Sequence, residues 1–437
     1  MFRYALLSVL LAAALGVGAE AARPKNVILM IGDGMGHNHV EAGSLYAYGA
    51  SKAQPYWQWT YFPVATFSSN NQQGYAVDVA WKDFNYFLKL PTDSAAAATT
   101  YATGVKTRNY MIGVDAEGNH VPSLVDDAEA MGKATGVVSS VRFTHATPAS
   151  FVAHAKSRKD ELEIGQEMLR DSKVDVILGP GHPLFDDDAK QSAEPNYKFV
   201  GGEDLWKQLQ GGTLGGDADG DGTPDPWKLV DTTEGIQALG SGTAPKRLFG
   251  LVPVAGTLQA ERGGDHKAEA YAVPFLPNVP TLSDLMLAAL NSLKLDGDGF
   301  FLMGEGGAID WASHSNNPGR MVEEQIAFDE AIAAVAAWVE ANSSWEDTLL
   351  IVTADHECGY VVGPGSDPEW KPLVNNGKGV MPGFEFKLKS HTNQLVPLFA
   401  KGAGAEGFAE YVIGEDTRLG KFIDNTSVAA LIRKVWR

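Results

Sequence analysis

Residues 26–36 read Asn26-Val27-Ile28-Leu29-Met30-Ile31-Gly32-Asp33-Gly34-Met35-Gly36 (NVILMIGDGMG). Val27 to Ile31 are five apolar residues in a row, with no alternation that would expose one face. Such a run predicts a strand covered on both sides, as in a parallel sheet flanked by helices. Val137-Val138, Val174 to Leu178, Phe300 to Met303 and Leu349 to Thr353 read the same way. Helical periods lie between them. Thr281 with Asp284 three positions on forms a capping-box pattern, and Leu282, Leu285, Met286 and Ala289 follow at helical spacing. Phe328, Ile332, Val335 and Val339 mark a second apolar stripe. This alternation predicts α/β architecture, a three-layer α/β/α sandwich around a largely parallel central sheet with loop-rich insertions. The Gly32-to-Gly36 turn is not a dinucleotide loop, because His37 takes the place of the last glycine in G-x-G-x-x-G.

The chain has 437 residues, of which 44% are hydrophobic and 20% charged, enough for a sizeable core and inconsistent with disorder or a coiled-coil rod. Its 35 basic and 54 acidic residues give a formal net charge of −19. A surface of that sign repels nucleic acid and anionic membrane, so neither is expected as a partner. An anionic substrate would need a site whose sign is reversed locally, by metal ions or arginine. Residues 1–21 carry a basic start at Arg3, an apolar run from Tyr4 to Val17 and the small-x-small Ala19-Glu20-Ala21. They are read as a signal peptide, leaving a mature protein of residues 22–437 in the periplasm or secreted. The single cysteine, Cys358, permits no intrachain disulfide and is read as a small buried thiol.

Two stretches read as insertions. Residues 196–265 are Gly-rich and turn-rich, and residues 359–390 carry Pro364, Pro368, Pro372 and Pro382. Within the first, Asp217, Asp219, Asp221 and Asp225 with Gly222 at the sixth position form a candidate calcium loop, with Lys228 where an EF-hand has Glu.

Three predicted strands end in acidic residues: Asp33, Glu305 and Asp355 with His356. Ligand sites in open α/β sheets form at the carboxyl ends of strands, and carboxylates gathered there call for cations. Asp310 and His314 stand four apart and share a helical face, and His391 precedes the apolar Leu395 to Phe399. Mixed histidine and carboxylate donors suit zinc; carboxylate and hydroxyl oxygens suit magnesium. Asp93-Ser94 opens the Ala95-to-Ala98 run, so Ser94 is either a capping residue or a nucleophile beside a helix N-terminus. No G-x-S-x-G elbow is present. His37 and His39 are read as surface groups.

Taken together, NVILMIGDGMG, TDSAAA (Thr92 to Ala97), HATPASFVAH (His145 to His154), Ser157-Arg158, FLMGEGGAIDWASH (Phe301 to His314), TADHE (Thr353 to Glu357) and His391-Thr392 resemble the alkaline phosphatase family, in that family's order. The resemblance implies a metal-dependent phosphomonoesterase with two zinc ions and one magnesium per subunit. Asp310, His314 and His391 would hold the first zinc, and Asp33, Asp355 and His356 the second. Asp33 would bridge to magnesium, with Thr147 and Glu305 as its other protein ligands. Ser94 would attack phosphorus to form a phosphoserine, Arg158 would clamp the phosphate, and Asp93 would stand beside them. His145 stands where certain bacterial members have Asp, and Trp311 where they have Lys. The histidine is expected to order a magnesium-bound water, and the tryptophan to loosen product binding. The family implies a homodimer, with 359–390 as the candidate interface element, acting on small phosphate monoesters. A phosphodiesterase or sulfatase of the same superfamily is the enzyme alternative, set against by serine at position 94. A catalytically silent metal-binding surface protein is the non-enzyme alternative.

Overall fold

In the computed structural model, residues 23–219 and 222–437 are described. The signal-peptide reading of residues 1–21, and Asp221 of the candidate calcium loop, lie outside them. The strands are β1 (Asn26–Gly32), β2 (Thr60–Ala65), β3 (Ala134–Ser139), β4 (Val176–Gly179), β5 (Lys228–Val230), β6 (Leu248–Leu251), β7 (Phe300–Gly306) and β8 (Thr348–Ala354). They continue through β9 (Glu357–Cys358), β10 (Val361–Val362), β11 (Glu385–Phe386), β12 (His391–Thr392), β13 (Val396–Gly402), β14 (Val412–Asp416) and β15 (Gly420–Asp424). The helices are α1 (His37–Tyr48), α2 (Val77–Ala80), α3 (Ser94–Thr103), α4 (Leu124–Ala130), α5 (Ala146–Val152) and α6 (Glu161–Gln166). After them come α7 (Glu203–Gln210), α8 (Thr233–Leu239), α9 (Leu282–Leu293), α10 (Ala308–His314), α11 (Pro318–Asn342) and α12 (Thr426–Trp436).

Eleven strands form one sheet in the order β14-β15-β2-β13-β8-β1-β7-β3-β4-β6-β5. From β8 to β5 every neighbouring pair is parallel; β13 runs antiparallel to both β8 and β2. The unbroken apolar run of β1 is the reason it lies in the middle. Val27 to Ile31 are wholly buried, as are their neighbours in β7 and β8. Thr281 caps α9 in the expected box, its hydroxyl accepting from the Asp284 amide at 3.1 Å. The Phe328, Ile332, Val335 and Val339 stripe of α11 is buried. The fold is the α/β sandwich expected, with a large mostly parallel sheet and flanking helices.

Residues 196–265 do more than loop. They supply α7, β5, α8 and β6, and the two strands extend the main sheet at one edge. Three- and four-residue strands carry too little pattern to be seen in a sequence. Residues 359–390 hold only two-residue strands, β10 pairing with β11.

Candidate active site

Three loops leave the carboxyl edge of the sheet side by side, because β1 lies between β7 and β8. Register aligns them: Ile31 pairs with Glu305 and Gly32 with Ala354. Asp33, Glu305 and Asp355 therefore converge, each fully buried. Gly34 makes the approach possible. Its φ is +75°, and a Cβ there would lie 2.8 Å from the Asp310 backbone. The Gly34 amide donates to Asp355 Oδ1 at 3.0 Å, which orients that carboxylate.

His356 follows Asp355, and its Nε2 faces Asp355 Oδ2 at 3.2 Å, Asp33 Oδ1 at 3.6 Å and Ser94 Oγ at 3.3 Å. Asp310 and His314 occupy one face of the short helix α10, as their spacing predicted. His391 reaches them from β12. His314 Nε2 and His391 Nε2 lie 3.0 Å apart, with Asp310 oxygens at 3.3 Å from the first and 3.4 Å from the second. On the far side, Glu305 accepts a hydrogen bond from Ser139, and Thr147 opens α5 beside it.

Ser94 is the first residue of α3, and Asp93 is its N-cap. The Asp93 carboxylate accepts from the Ala96 amide at 3.0 Å and the Tyr110 amide at 3.1 Å, and pairs with Arg158 at 3.2 Å. His145 Nε2 lies 2.8 Å from the other Arg158 nitrogen. Ser94, Arg158, His145, Trp311, His314 and His391 line one cavity of about 410 Å³. The structure thus brings Ser94, Arg158 and all eight expected metal ligands to one place.

The electrostatics show what these donor groups call for. Both Asp33 oxygens, Glu305 Oε1, Asp355 Oδ2, Asp310 Oδ1, Thr147 Oγ1 and His356 Nδ1 are buried without a hydrogen-bond partner. Buried carboxylates left unpaired carry a large cost. Burial, reinforced by Asp355, Asp310 and Glu305, pushes Asp33 well above the ordinary carboxylate range. Burial likewise raises Asp355 and Glu305. It would raise Asp310 too, but contact with His391 and the neighbouring imidazoles holds that group low. Divalent cations would satisfy these atoms together, and the donor sets fit them. Asp33, Asp355 and His356 bring ligand atoms within 4.8 Å of one another, as do Asp33, His145 and Glu305.

Several placements differ from expectation. His39 is not a surface group, and His37 is half-buried. His39 is fully buried, facing the Ser313 hydroxyl at 3.1 Å, while His37 contacts the Tyr61 hydroxyl at 2.8 Å. Burial lowers both pKa values to about 4, because a charged imidazole would lose its water. Cys358 is buried as expected, but it belongs to the Asp310, His314 and His391 cluster. Arg142 is a site residue that sequence reasoning missed. Its guanidinium lies over the Trp311 ring at 5.0 Å and pairs with Glu161 at 3.2 Å. Its position three residues before His145, just past a buried strand, was the available signal. Of the calcium loop, the described Asp217, Asp219 and Asp225 bring carboxylate oxygens within 4.8 Å of one another.

A family model described as alkaline phosphatase matches residues 24–394. Alkaline phosphatase 4 of Bacillus subtilis is 30% identical over 402 residues, which span 90% of this chain and 74% of that one. The solved alkaline phosphatase from the Antarctic bacterium TAB5 superposes with a TM-score of 0.66 at 26% identity, covering 95% of this chain and 99% of that one. A histidine-to-aspartate mutant of the TAB5 enzyme, solved with Mg bound in its M3 site, gives a TM-score of 0.65 with the same identity and coverage. Sequence and architecture agree with the converging carboxylates, and the chain belongs to the alkaline phosphatase family of phosphoric monoester hydrolases.

Proposed function

We propose that the hydrolysis runs through a phosphoserine on Ser94, in an exported protein that holds two zinc ions and one magnesium. The observation that carries this reading is the placement of Ser94 Oγ, 3.3 Å from His356, in one cavity with Arg158, beside carboxylates that have no partner. Bound in the three donor sets, the metals would supply Lewis acidity, favouring the serine alkoxide and offsetting charge on the leaving oxygen.

The chain's own residues do the rest. Ser94 sits at the positive end of the α3 dipole, which favours an anionic oxygen and an approaching phosphate. Ser94 gives up its hydroxyl proton to water as its Oγ bonds to phosphorus and the ester P–O bond breaks in line with it, and the leaving alkoxide takes a proton back from water. Water then attacks the phosphoserine from the vacated side, the bond from phosphorus to Ser94 Oγ breaks, and the proton lost by the attacking water restores the Ser94 hydroxyl as inorganic phosphate departs. Asp93 and His145 hold the Arg158 guanidinium, so its fork is oriented before substrate arrives. His145 Nδ1 is 4.0 Å from Glu305, and burial, then Arg158 and Arg142, hold the imidazole well below its ordinary pKa. Neutral, it can accept from Arg158 or order a water at the magnesium site.

The test is hydrolysis of a chromogenic phosphate monoester beside the matching diester and sulfate ester, before and after chelation. Monoester preference that is lost on chelation and restored by zinc with magnesium is expected. Diester or sulfate preference would overturn the substrate assignment, and unchanged activity after chelation would overturn the metals. Dimerisation through 359–390 and structural calcium at 217–225 belong to the same proposal. For the calcium loop, three facing carboxylates support the reading. No helix of the described residues is long and apolar enough to cross a membrane.

A further inference from the structure

Cys358 ends β9 and pairs directly across from His391 on β12. It is fully buried, and its Sγ lies within 4.8 Å of a ligand atom from each of Asp310, His314 and His391, which are equally close to one another. The orientation of the two imidazoles is fixed from behind. His314 Nδ1 faces the Lys389 carbonyl at 2.8 Å, and His391 Nδ1 faces the Thr92 carbonyl at 3.0 Å. A carbonyl only accepts, so each Nδ1 donates to it and each ring turns its Nε2 toward Asp310 and Cys358. The two Nε2 atoms lie 3.0 Å apart, with Asp310 Oδ2 at 3.3 Å from His314 and Oδ1 at 3.4 Å from His391. Two imidazole nitrogens, a carboxylate oxygen and a sulfur thus cluster within 4.8 Å of one another. That is the disposition of a closed zinc-type donor set.

We propose that Cys358 is a fourth protein ligand of the metal ion held by Asp310, His314 and His391, its sulfur bonding directly to the ion. The inference rests on the metal reading above and adds a donor that the family resemblance did not supply. On binding, the S–H bond breaks, an S–metal bond forms and the proton leaves to water; nothing is oxidised or reduced. A thiolate in the set selects zinc, a borderline-soft ion, against magnesium or manganese, which prefer oxygen. With four protein donors in place, a substrate oxygen enters as a fifth ligand rather than into an open tetrahedral position.

The chain's single cysteine makes the test unambiguous. The whole protein is stripped of metal, titrated with Co2+ and followed by absorption, with cobalt content measured directly. The expected spectrum has visible d–d bands together with a near-ultraviolet sulfur-to-cobalt charge-transfer band. In Cys358→Ser the visible bands persist, the charge-transfer band disappears, and zinc affinity falls at least about tenfold. Visible bands at full cobalt content without the charge-transfer band in the unmutated protein would overturn the ligand assignment and leave the metal reading intact. Failure to bind cobalt at all would overturn that reading, and this inference with it. The decisive band is read in the unmutated protein, so the outcome does not depend on the variant folding.

Discussion

Ser94 and Arg158 depend on the same aspartate: Asp93 caps the helix that Ser94 opens and holds the guanidinium that faces the cavity. Replacing Ser94 by Ala removes the proposed nucleophile while leaving the Asp93 cap and the Asp93–Arg158 pair in place. Monoester turnover should fall by roughly 10⁴-fold or more, with phosphate still bound, as judged by direct binding measurement. Arg158→Lys keeps the charge and loses the fork, so kcat/KM should drop by about one to two orders of magnitude, the worth of a charge-assisted hydrogen bond. An unchanged value would remove Arg158 from phosphate binding. Trp311→Lys returns a cation near the phosphate and should tighten inhibition by inorganic phosphate. The gain should stay below about tenfold, since Arg142 already lies 5.0 Å from that ring and would repel the ammonium. An identical inhibition constant would show that Trp311 does not govern product release. Asp33, Glu305, Asp355, His356, Asp310, His314 and Ser94 stood out as candidates because they sit at strand ends, in an i,i+4 pair or at a helix start, whereas Thr147 and Arg158 were named only through the resemblance to the alkaline phosphatase family. His39 and Arg142 did not stand out, because what makes them matter is a neighbour far away in sequence: Ser313 for one, Trp311 for the other.

The segment between β6 and α9 is pinned to α11 by an ion pair, and that attachment sets one wall of the cavity. Arg262 and Glu323 side chains are 1% and 2% exposed, with 2.9 Å between nitrogen and oxygen, so water does not share the interaction. Arg262 also donates to the carbonyls of Gln259 at 2.9 Å, Val273 at 2.7 Å and Pro274 at 3.0 Å, and Glu323 accepts from the Tyr271 amide. Glu261, next in sequence, lines the active-site cavity. Arg262→Ala would strand a buried carboxylate and should cost about 3–5 kcal/mol in denaturant unfolding, with a raised KM as the wall loosens. Arg262→Met combined with Glu323→Leu should recover much of that stability, because no charge is left unpaired; a double mutant as unstable as the single would refute the argument. None of this was visible in the sequence, where residues 196–265 read as a Gly-rich, turn-rich insertion. The central strands were legible for the opposite reason. β1, β3, β7 and β8 are buried on both faces, so composition alone marks them, whereas β14 and β15 mix exposed and buried residues and the three-residue β5 has no buried residue. Helix α7 was also missed, although Leu205, Trp206 and Leu209 form its buried stripe; eight residues give one such stripe and no more.

At the scale of the molecule, a chain of net charge −19 places three like-charged groups together in its most buried layer. Metal-free, Asp33, Glu305 and Asp355 all have folded-state pKa values above their ordinary 3.8 or 4.5, by burial first and by mutual repulsion after it. Groups raised on folding bind more protons in the native state than in the unfolded one. The stability they lend is fully present below the ordinary carboxylate pKa and is lost as pH climbs through the raised values. Asp310 is shifted the other way and contributes a constant amount above its ordinary pKa, so it does not alter the trend. These three groups should therefore cost the chelated protein stability as pH rises from about 4 to about 7, while the lowered His37, His39, His145 and His356 offset part of that loss below their ordinary 6.5 and none of it above. Metal binding needs the same carboxylates deprotonated and neutralises their repulsion, so the loaded protein should not follow that decline. The difference in Tm between loaded and chelated protein should widen from about pH 5 to about pH 8. Asp33→Asn separates this account from a general effect of surface charge. It removes the most strongly raised of the three carboxylates without touching the surface, so in the chelated state at about pH 8 it should be more stable than the unmutated chain, and with metals present less stable. A chelated Asp33→Asn protein that melts no higher than the unmutated one at that pH would mean the buried carboxylates are not what the metals hold together.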